Sequence, residues 1–117
     1  MLSLVVDDDP YIRAYIKMIL EREGFETVEA EGGNSALQIV EMLCGCVDLI
    51  VTDIQMPNGD GLTFANAARK TFRPVPTILV SGRPKPDTAF EFIEKLFASA
   101  ALARMVRKLV APTAKTA

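Results

Sequence analysis

Hydrophobic positions along the chain follow two alternating patterns. Short runs rich in β-branched residues predict five strands, at Leu2–Val6, Phe25–Ala30, Val47–Thr52, Thr77–Val80 and Phe90–Glu94. Elsewhere apolar residues return every three or four positions, which predicts amphipathic helices. Three apolar stripes are Ile12, Ile16, Ile19 and Leu20, then Ala36, Leu37, Val40 and Leu43, and finally Leu102, Met105, Val106 and Leu109. Residues 62 to about 70 have helical composition and predict one more helix, between the second and the last. This alternation is typical of a parallel sheet covered by helices on both faces.

Local signals place the ends of these elements. Pro10 follows three acids and suits the first turn of a helix, which Gly24 ends. Asn34 is a possible N-cap for the second helix. Because crossovers are right-handed, few topologies remain. We expect an α/β fold, a flavodoxin-like doubly wound five-stranded parallel sheet of order 2-1-3-4-5.

The connection between the fourth and fifth strands is unusually short. It runs from Gly82 to Ala89 and contains Pro84 and Pro86. A parallel crossover with its helix needs at least about 10–12 residues. The helix expected between the fourth and fifth strands is therefore predicted to be short or absent.

Length and composition exclude several classes of protein. The chain has 117 residues, 50% of them hydrophobic and 24% charged, so we expect one globular domain over residues 1–110 and a disordered tail at 111–117. A net charge of −2 without a basic block argues against direct nucleic-acid binding. No apolar run reaches the roughly 18 residues of a membrane helix, and the N-terminus lacks a charged signal-peptide start. We expect a cytoplasmic protein.

The sequence contains no histidine and only two cysteines. Catalysis by Ser-His-Asp or Cys-His groups is excluded, as is a phosphohistidine on this chain. Cys44 and Cys46 are too few for a metal site and are interpreted as ordinary small residues. Any chemistry must use carboxylates, hydroxyls and amines.

Polar side chains follow four of the predicted strands. Asp7 and Asp8 come after the first strand, Asp53 after the third, Ser81 after the fourth and Lys95 after the fifth. Each has an ordinary alternative: acids can cap the first helix, Ser81 can form a turn, and Lys95 can be a solvated charge. In a doubly wound sheet, however, the carboxyl ends of the strands form the ligand site. Their common placement favours a functional site.

The chemistry of these groups indicates phosphoryl transfer. Three neighbouring carboxylates repel one another, and hard oxygen ligands suit Mg²⁺ (or Mn²⁺). Lys95 and Ser81 are suited to binding phosphoryl oxygens. We interpret the site as one that transfers a phosphoryl group onto a carboxylate, with Asp53 as the nucleophile.

Two motifs carry a resemblance to a known family. They are Leu4-Val5-Val6-Asp7-Asp8-Asp9-Pro10 and Asp53-Ile54-Gln55-Met56-Pro57-Asn58-Gly59-Asp60-Gly61. Ser81-Gly82 and Phe92-Ile93-Glu94-Lys95-Leu96-Phe97 support them. Over essentially its full length the chain resembles the receiver domain of two-component response regulators, to which the chemotaxis response regulator belongs.

The resemblance implies a signalling module rather than an enzyme, one that catalyses only its own aspartyl phosphorylation and dephosphorylation. It implies that a sensor histidine kinase or a histidine phosphotransfer protein donates the phosphoryl group to Asp53. Asp8, Asp53 and the backbone carbonyl of Gln55 would bind Mg²⁺, with Asp7 acting through water. The downstream target would be another protein.

The resemblance also implies a conformational switch. Ser81 would move toward the phosphoryl group, Lys95 would pair with it, and Phe92 would match the aromatic switch position. Phe92 has an ordinary alternative as a packed strand residue. The family usually has a cis proline after the lysine, whereas this chain has Leu96. We expect a trans bond there, because a cis bond before a non-proline residue costs about 2.5–4 kcal/mol.

Two alternative functions remain open on sequence grounds. The first is a degenerate receiver that acts only as a protein-interaction module; the intact pocket residues oppose it, whereas Leu96 and the short connection favour it. The second is a Mg²⁺-dependent phosphatase with an aspartyl nucleophile. Such enzymes commonly place a second acid where this chain has Gln55, which cannot act as a general acid or base. We expect either a stand-alone receiver or part of a larger protein such as a hybrid kinase.

Overall fold

A five-stranded parallel sheet forms the centre of the computed structural model, which describes residues 1–72, 74–95 and 97–116. The strands are β1 (Leu2–Val6), β2 (Glu26–Ala30), β3 (Leu49–Asp53), β4 (Thr77–Ser81) and β5 (Glu91–Glu94), in the order β2-β1-β3-β4-β5. The helices are α1 (Pro10–Arg22), α2 (Gly33–Met42), α3 (Gly61–Thr71) and α4 (Ser99–Thr116). The predicted fold and strand order are confirmed. Within the described residues, no helix is both long and apolar enough to cross a membrane.

The sheet separates two layers of apolar packing. Because successive strand residues point to opposite faces, Val5 and Val51 pack with α1 and α4, whereas Leu4 and Ile50 pack with α2 and α3. These four strand residues are fully buried, as a sheet covered by helices on both faces requires. This two-sided burial fixes the strand ends from which the polar residues project.

Helix starts follow the predicted capping chemistry at α1 but not at α2. The Asp9 carboxylate accepts hydrogen bonds from the backbone N–H of Tyr11 (2.9 Å) and of Ile12 (3.4 Å). The prediction that Asn34 caps α2 is wrong, because Gly32 is the N-cap and makes no side-chain capping bond. The N–H groups of Gly33 and Asn34 donate instead to the carbonyls of Gly59 and Asn58, at 3.0 and 3.2 Å. The loop after β3 thus provides the hydrogen-bond acceptors for the first N–H groups of α2.

Strand boundaries differ from prediction by at most two residues. The third strand begins at Leu49 rather than Val47, because the chain turns through Cys44–Val47 with a positive φ of 74° at Gly45. α4 is assigned as helix to Thr116 and so continues past residue 110. The expected disordered tail at 111–117 stays a prediction, since Ala117 lies outside the described residues and side chains are described only to Val110.

No helix lies between β4 and β5, as predicted. Residues 82–90 cross from one strand to the other as irregular chain. Phe90 ends this segment and is buried against Leu79 and Ala65, with the Arg69 guanidinium 5.5 Å from its ring centroid. Phe90 therefore contributes apolar cover to this side of the sheet.

Candidate functional site

Adjacent strand ends bring the predicted acids together. Asp53 is the last residue of β3, and Asp7 follows β1 directly. The register places Val6 beside Thr52 and Asp53 beside Val80. Carboxylate oxygens of Asp7, Asp8 and Asp53 all lie within 4.8 Å of one another. The strand pairing therefore brings Asp7 and Asp53 to the same edge of the sheet.

Burial makes this cluster suited to a cation. Asp7 and Asp53 are 0% and 2% exposed, whereas Asp8 is exposed. Asp7 Oδ1 accepts a hydrogen bond from the Asp9 backbone N–H at 2.9 Å. Asp7 Oδ2 and Asp53 Oδ1 are buried without a hydrogen-bond partner among the described residues. Buried carboxylate oxygens are normally paired, so these two fit the ligand set of a divalent ion.

Lys95 supplies the positive charge on the other side of Asp53. Its Nζ lies 2.9 Å from Asp53 Oδ2 and 3.6 Å from Asp7 Oδ2. Burial lowers the pKa of Lys95, but the hydrogen bond to Asp53 and the charges of both acids outweigh it, so the pKa is raised. Lys95 is therefore positively charged in this site at neutral pH.

The surroundings of Asp7 change its pKa. Burial raises the pKa of Asp7, as do the negative charges of Asp53 and Asp8. The Asp9 N–H bond and the charge of Lys95 lower it, and the net shift is upward. Without a bound cation, the folded protein thus disfavours the ionised form of Asp7.

The structure places Ser81 near the site but gives its hydroxyl a different partner. Ser81 is 0% exposed at the end of β4. Its Oγ donates to Gln55 Oε1 at 2.6 Å and accepts from the Arg83 backbone N–H at 3.0 Å. Phe92 is half-buried on β5 and packs against the cluster that contains Leu79 and Phe90. Leu96, and with it the Lys95–Leu96 bond, lies outside the described residues.

Sequence reasoning missed Arg13, which holds the acidic loop in place. Arg13 Nη1 donates to the backbone carbonyl of Asp7 at 2.7 Å, and its Nε donates to Glu29 Oε1 at 2.9 Å. The guanidinium thus joins the loop after β1 to β2. The available signal was a basic residue one helical turn after Asp9, next to an acidic loop that needs counter-charge.

The loop after Asp53 is held by close backbone contacts. Thr52 Oγ1 donates to the Asp53 carbonyl at 2.9 Å, and the Gly61 N–H donates to the Ile54 carbonyl at 2.9 Å. A Cβ on Gly61 would collide with the Asp53 carbonyl oxygen. Only glycine lets the start of α3 approach the phosphoacceptor candidate this closely.

Fold and site together define a receiver domain of two-component signalling systems. The chain matches the response regulator receiver domain family over residues 3–107 and belongs to that family. Receiver domains are in general signalling modules that bind Mg²⁺, and the acidic cluster is compatible with that property.

Two sequence relatives and two solved structures illustrate the membership. The chain is 36% identical over 115 residues to the sensor kinase CckA of Brucella abortus (strain 2308), covering 92% of this chain and 12% of that protein. It is 34% identical over 80 residues to the transcriptional regulatory protein CpxR of Escherichia coli (strain K12), covering 68% of this chain and 33% of that protein. The chain therefore spans well under half the length of these relatives.

The structural neighbours cover nearly the whole chain. The crystal structure of the receiver domain from the hybrid histidine kinase CckA has a TM-score of 0.84 at 31% identity, covering 94% of this chain and 99% of that one. The signal receiver domain of a signal transduction histidine kinase from Syntrophus aciditrophicus has a TM-score of 0.84 at 27% identity, covering 95% and 90%. Both similarities agree with the fold derived above.

Proposed function

We propose that this domain accepts a phosphoryl group on Asp53 from a phosphohistidine of a sensor histidine kinase or a histidine phosphotransfer protein. One observation carries the proposal: the Asp7, Asp8 and Asp53 carboxylates converge within 4.8 Å, with Lys95 Nζ 2.9 Å from Asp53. The chain catalyses only this transfer and the later hydrolysis. Both steps serve a change of state that another protein reads.

The acidic cluster would hold Mg²⁺ (or Mn²⁺) through Asp8, Asp53 and the backbone carbonyl of Gln55, with Asp7 acting through water. When bound, the ion supplies positive charge that offsets the carboxylates and polarises the phosphoryl oxygens. The two buried oxygens without hydrogen-bond partners, on Asp7 and Asp53, support this assignment.

Asp53 is the nucleophile and Lys95 its positive partner. A bond forms from an Asp53 carboxylate oxygen to phosphorus while the P–N bond of the donor phosphohistidine breaks. The electron pair remains on the donor imidazole, which takes up a proton. Lys95, already bound to Asp53, stays a cation and pairs with the added negative charge.

Ser81 and Phe92 would transmit the phosphorylation of Asp53 to the surface of the domain. A phosphoryl group offers charge-assisted hydrogen bonds that the resting site lacks, so Ser81 gains by moving toward it. Phe92 is half-buried and lies on β5 two residues before Glu94, which pairs with Ser81 of β4, so its packing can respond to that movement. This is a two-state equilibrium biased by phosphorylation.

The test is the intact mass after incubation with acetyl phosphate and Mg²⁺. Wild type should gain about 80 Da, one phosphoryl group, and Asp53→Asn should gain nothing. Asp87→Asn, which changes an exposed acid after β4, is the matched control and should behave as wild type.

A magnesium titration separates this function from a degenerate receiver that only binds proteins. Wild type should bind Mg²⁺, and Asp8→Ala should weaken that binding. Unmodified wild-type protein together with no measurable Mg²⁺ binding would refute the phosphoacceptor function and favour the interaction module.

A further inference from the structure

The Ser81 hydroxyl already donates a hydrogen bond in the resting structure. A serine hydroxyl has one proton to donate, and Ser81 gives it to Gln55 Oε1 over 2.6 Å. The same oxygen accepts the Arg83 N–H at 3.0 Å. Ser81 is 0% exposed, so water does not compete for this hydroxyl. It cannot donate to a group on Asp53 while it donates to Gln55.

We propose that the Gln55 side chain is a positioning residue that holds Ser81 in the resting state and sets how readily the domain switches. The inference rests on the proposed function of Asp53 and deepens it. It concerns the amide of Gln55, whereas the metal role given above concerns only the backbone carbonyl of the same residue.

The geometry explains why the Ser81–Gln55 hydrogen bond, which we call the lock, can hold the resting state and still be broken. Gln55 is exposed and Ser81 is buried, so breaking the bond returns the glutamine amide to water at small cost. A dianionic phosphoryl oxygen is a stronger acceptor than a neutral amide oxygen. Phosphorylation of Asp53 therefore favours a change of hydrogen-bond partner for the Ser81 hydroxyl, from Gln55 to the phosphoryl group.

The lock also connects the site to the segment without a helix. Arg83 stands near the start of residues 82–90, and its N–H is tied to the Ser81 oxygen. When Ser81 turns away from Gln55, this bond to Arg83 is strained or lost. The chain of contacts Gln55, Ser81 and Arg83 therefore gives residues 82–90 a direct means of sensing Asp53.

The first experiment measures the affinity of the Mg²⁺ form for beryllofluoride, which stands in for the phosphoryl group on Asp53. Gln55→Met has a similar size but replaces the amide oxygen with a weakly accepting sulfur, so it frees Ser81 and should bind beryllofluoride about two- to tenfold more tightly. Gln38→Met changes the other glutamine, exposed on α2, and should match wild type. In a Ser81→Ala background, Gln55→Met should have no effect.

The second experiment reads the lock in the resting protein, without metal or beryllofluoride. Hydrogen exchange at the Arg83 amide should be about two- to tenfold faster in Gln55→Met than in wild type. Gln55→Glu keeps an acceptor oxygen and should retain the protection.

The outcomes separate this inference from the proposed function. Unchanged or weaker beryllofluoride binding in Gln55→Met, or an equal effect without Ser81, overturns the lock. If wild type binds no beryllofluoride but the protection of the Arg83 amide depends on Gln55, the Ser81–Gln55 contact exists in the resting protein. Its proposed link to phosphorylation of Asp53 is then overturned. Wild type that binds beryllofluoride with Gln55-independent protection overturns the lock and leaves the phosphoacceptor function intact.

Discussion

Arg13 shows how one side chain outside the acidic cluster can set the geometry of that cluster. Its forked guanidinium donates both to the Asp7 carbonyl and to Glu29. Glu29 has a lowered pKa: burial raises it, but the hydrogen bonds and charges of Arg13 and Lys17 prevail. The charge pair at the end of β2 is therefore ionised at neutral pH and anchors the loop that holds Asp7 and Asp8.

We expect Arg13→Lys to weaken Mg²⁺ binding about two- to fivefold. Lysine keeps the positive charge, so the field at the acids is nearly unchanged, but it cannot donate from two directions at once. A residue that orients metal ligands costs affinity when it is lost. Calorimetric titration measures the effect, with Arg22→Lys at the exposed end of α1 as the control. Tighter or equal binding in Arg13→Lys would show that the loop needs no such anchor.

The clustering of Asp7, Asp8, Asp53 and Lys95 was predictable because all four follow parallel strands, whose ends must meet. The partners of Ser81 and Asp7 were not. The Ser81–Gln55 bond depends on how the loop after β3 folds back, and the Arg13 contact depends on where α1 lies above β2. Side-chain direction off a loop or helix is set by tertiary packing, which strand patterns do not encode.

Near the site, the start of α3 approaches the end of β3 too closely to leave room for a Cβ at Gly61. We expect Gly61→Ala to destabilise the domain by about 1–3 kcal/mol, because a methyl group would be forced against the Asp53 carbonyl. Urea unfolding measures this change. Gly82→Ala is the matched control, since a Cβ there meets no atom within 4 Å, and it should be neutral or slightly stabilising. Equal effects of the two variants would contradict the steric explanation.

Strand order and the missing helix followed from the sequence because each rests on a length or a periodicity. Five β-rich runs and right-handed crossovers left few sheet topologies, of which the flavodoxin-like order was expected, and the stretch from Gly82 to Ala89 was too short for a full crossover helix. The start of α2 was not predictable in the same way. Its first N–H groups bond to carbonyls of Asn58 and Gly59, which are distant in sequence, so no local cap was needed.

For the whole molecule, the buried charge of the acidic cluster opposes folding, because burial and neighbouring acids disfavour the ionised form of Asp7. Two carboxylates are buried beside each other, and two of their oxygens have no hydrogen-bond partner among the described residues. Lys95 offsets only part of this charge. A cation that binds the folded state alone would restore the loss by mass action, so we expect the stability of this domain to depend on both pH and Mg²⁺.

Asp7→Asn tests that linkage. The folded-state pKa of Asp7 is raised above 3.8, so its ionisation costs stability fully above the folded pKa, and the cost disappears as pH falls to 3.8. Without metal, Asp7→Asn should raise the free energy of unfolding by about 0.5–2 kcal/mol at pH 7 and by progressively less toward pH 4.

Mg²⁺ at about 100 times its dissociation constant should add about 2.7 kcal/mol to the free energy of unfolding of wild type and less to that of the variant. Urea unfolding with and without a chelator measures both effects, and Asp87→Asn should show neither. Destabilisation by Asp7→Asn in the chelator would mean that Lys95 already compensates the buried charge.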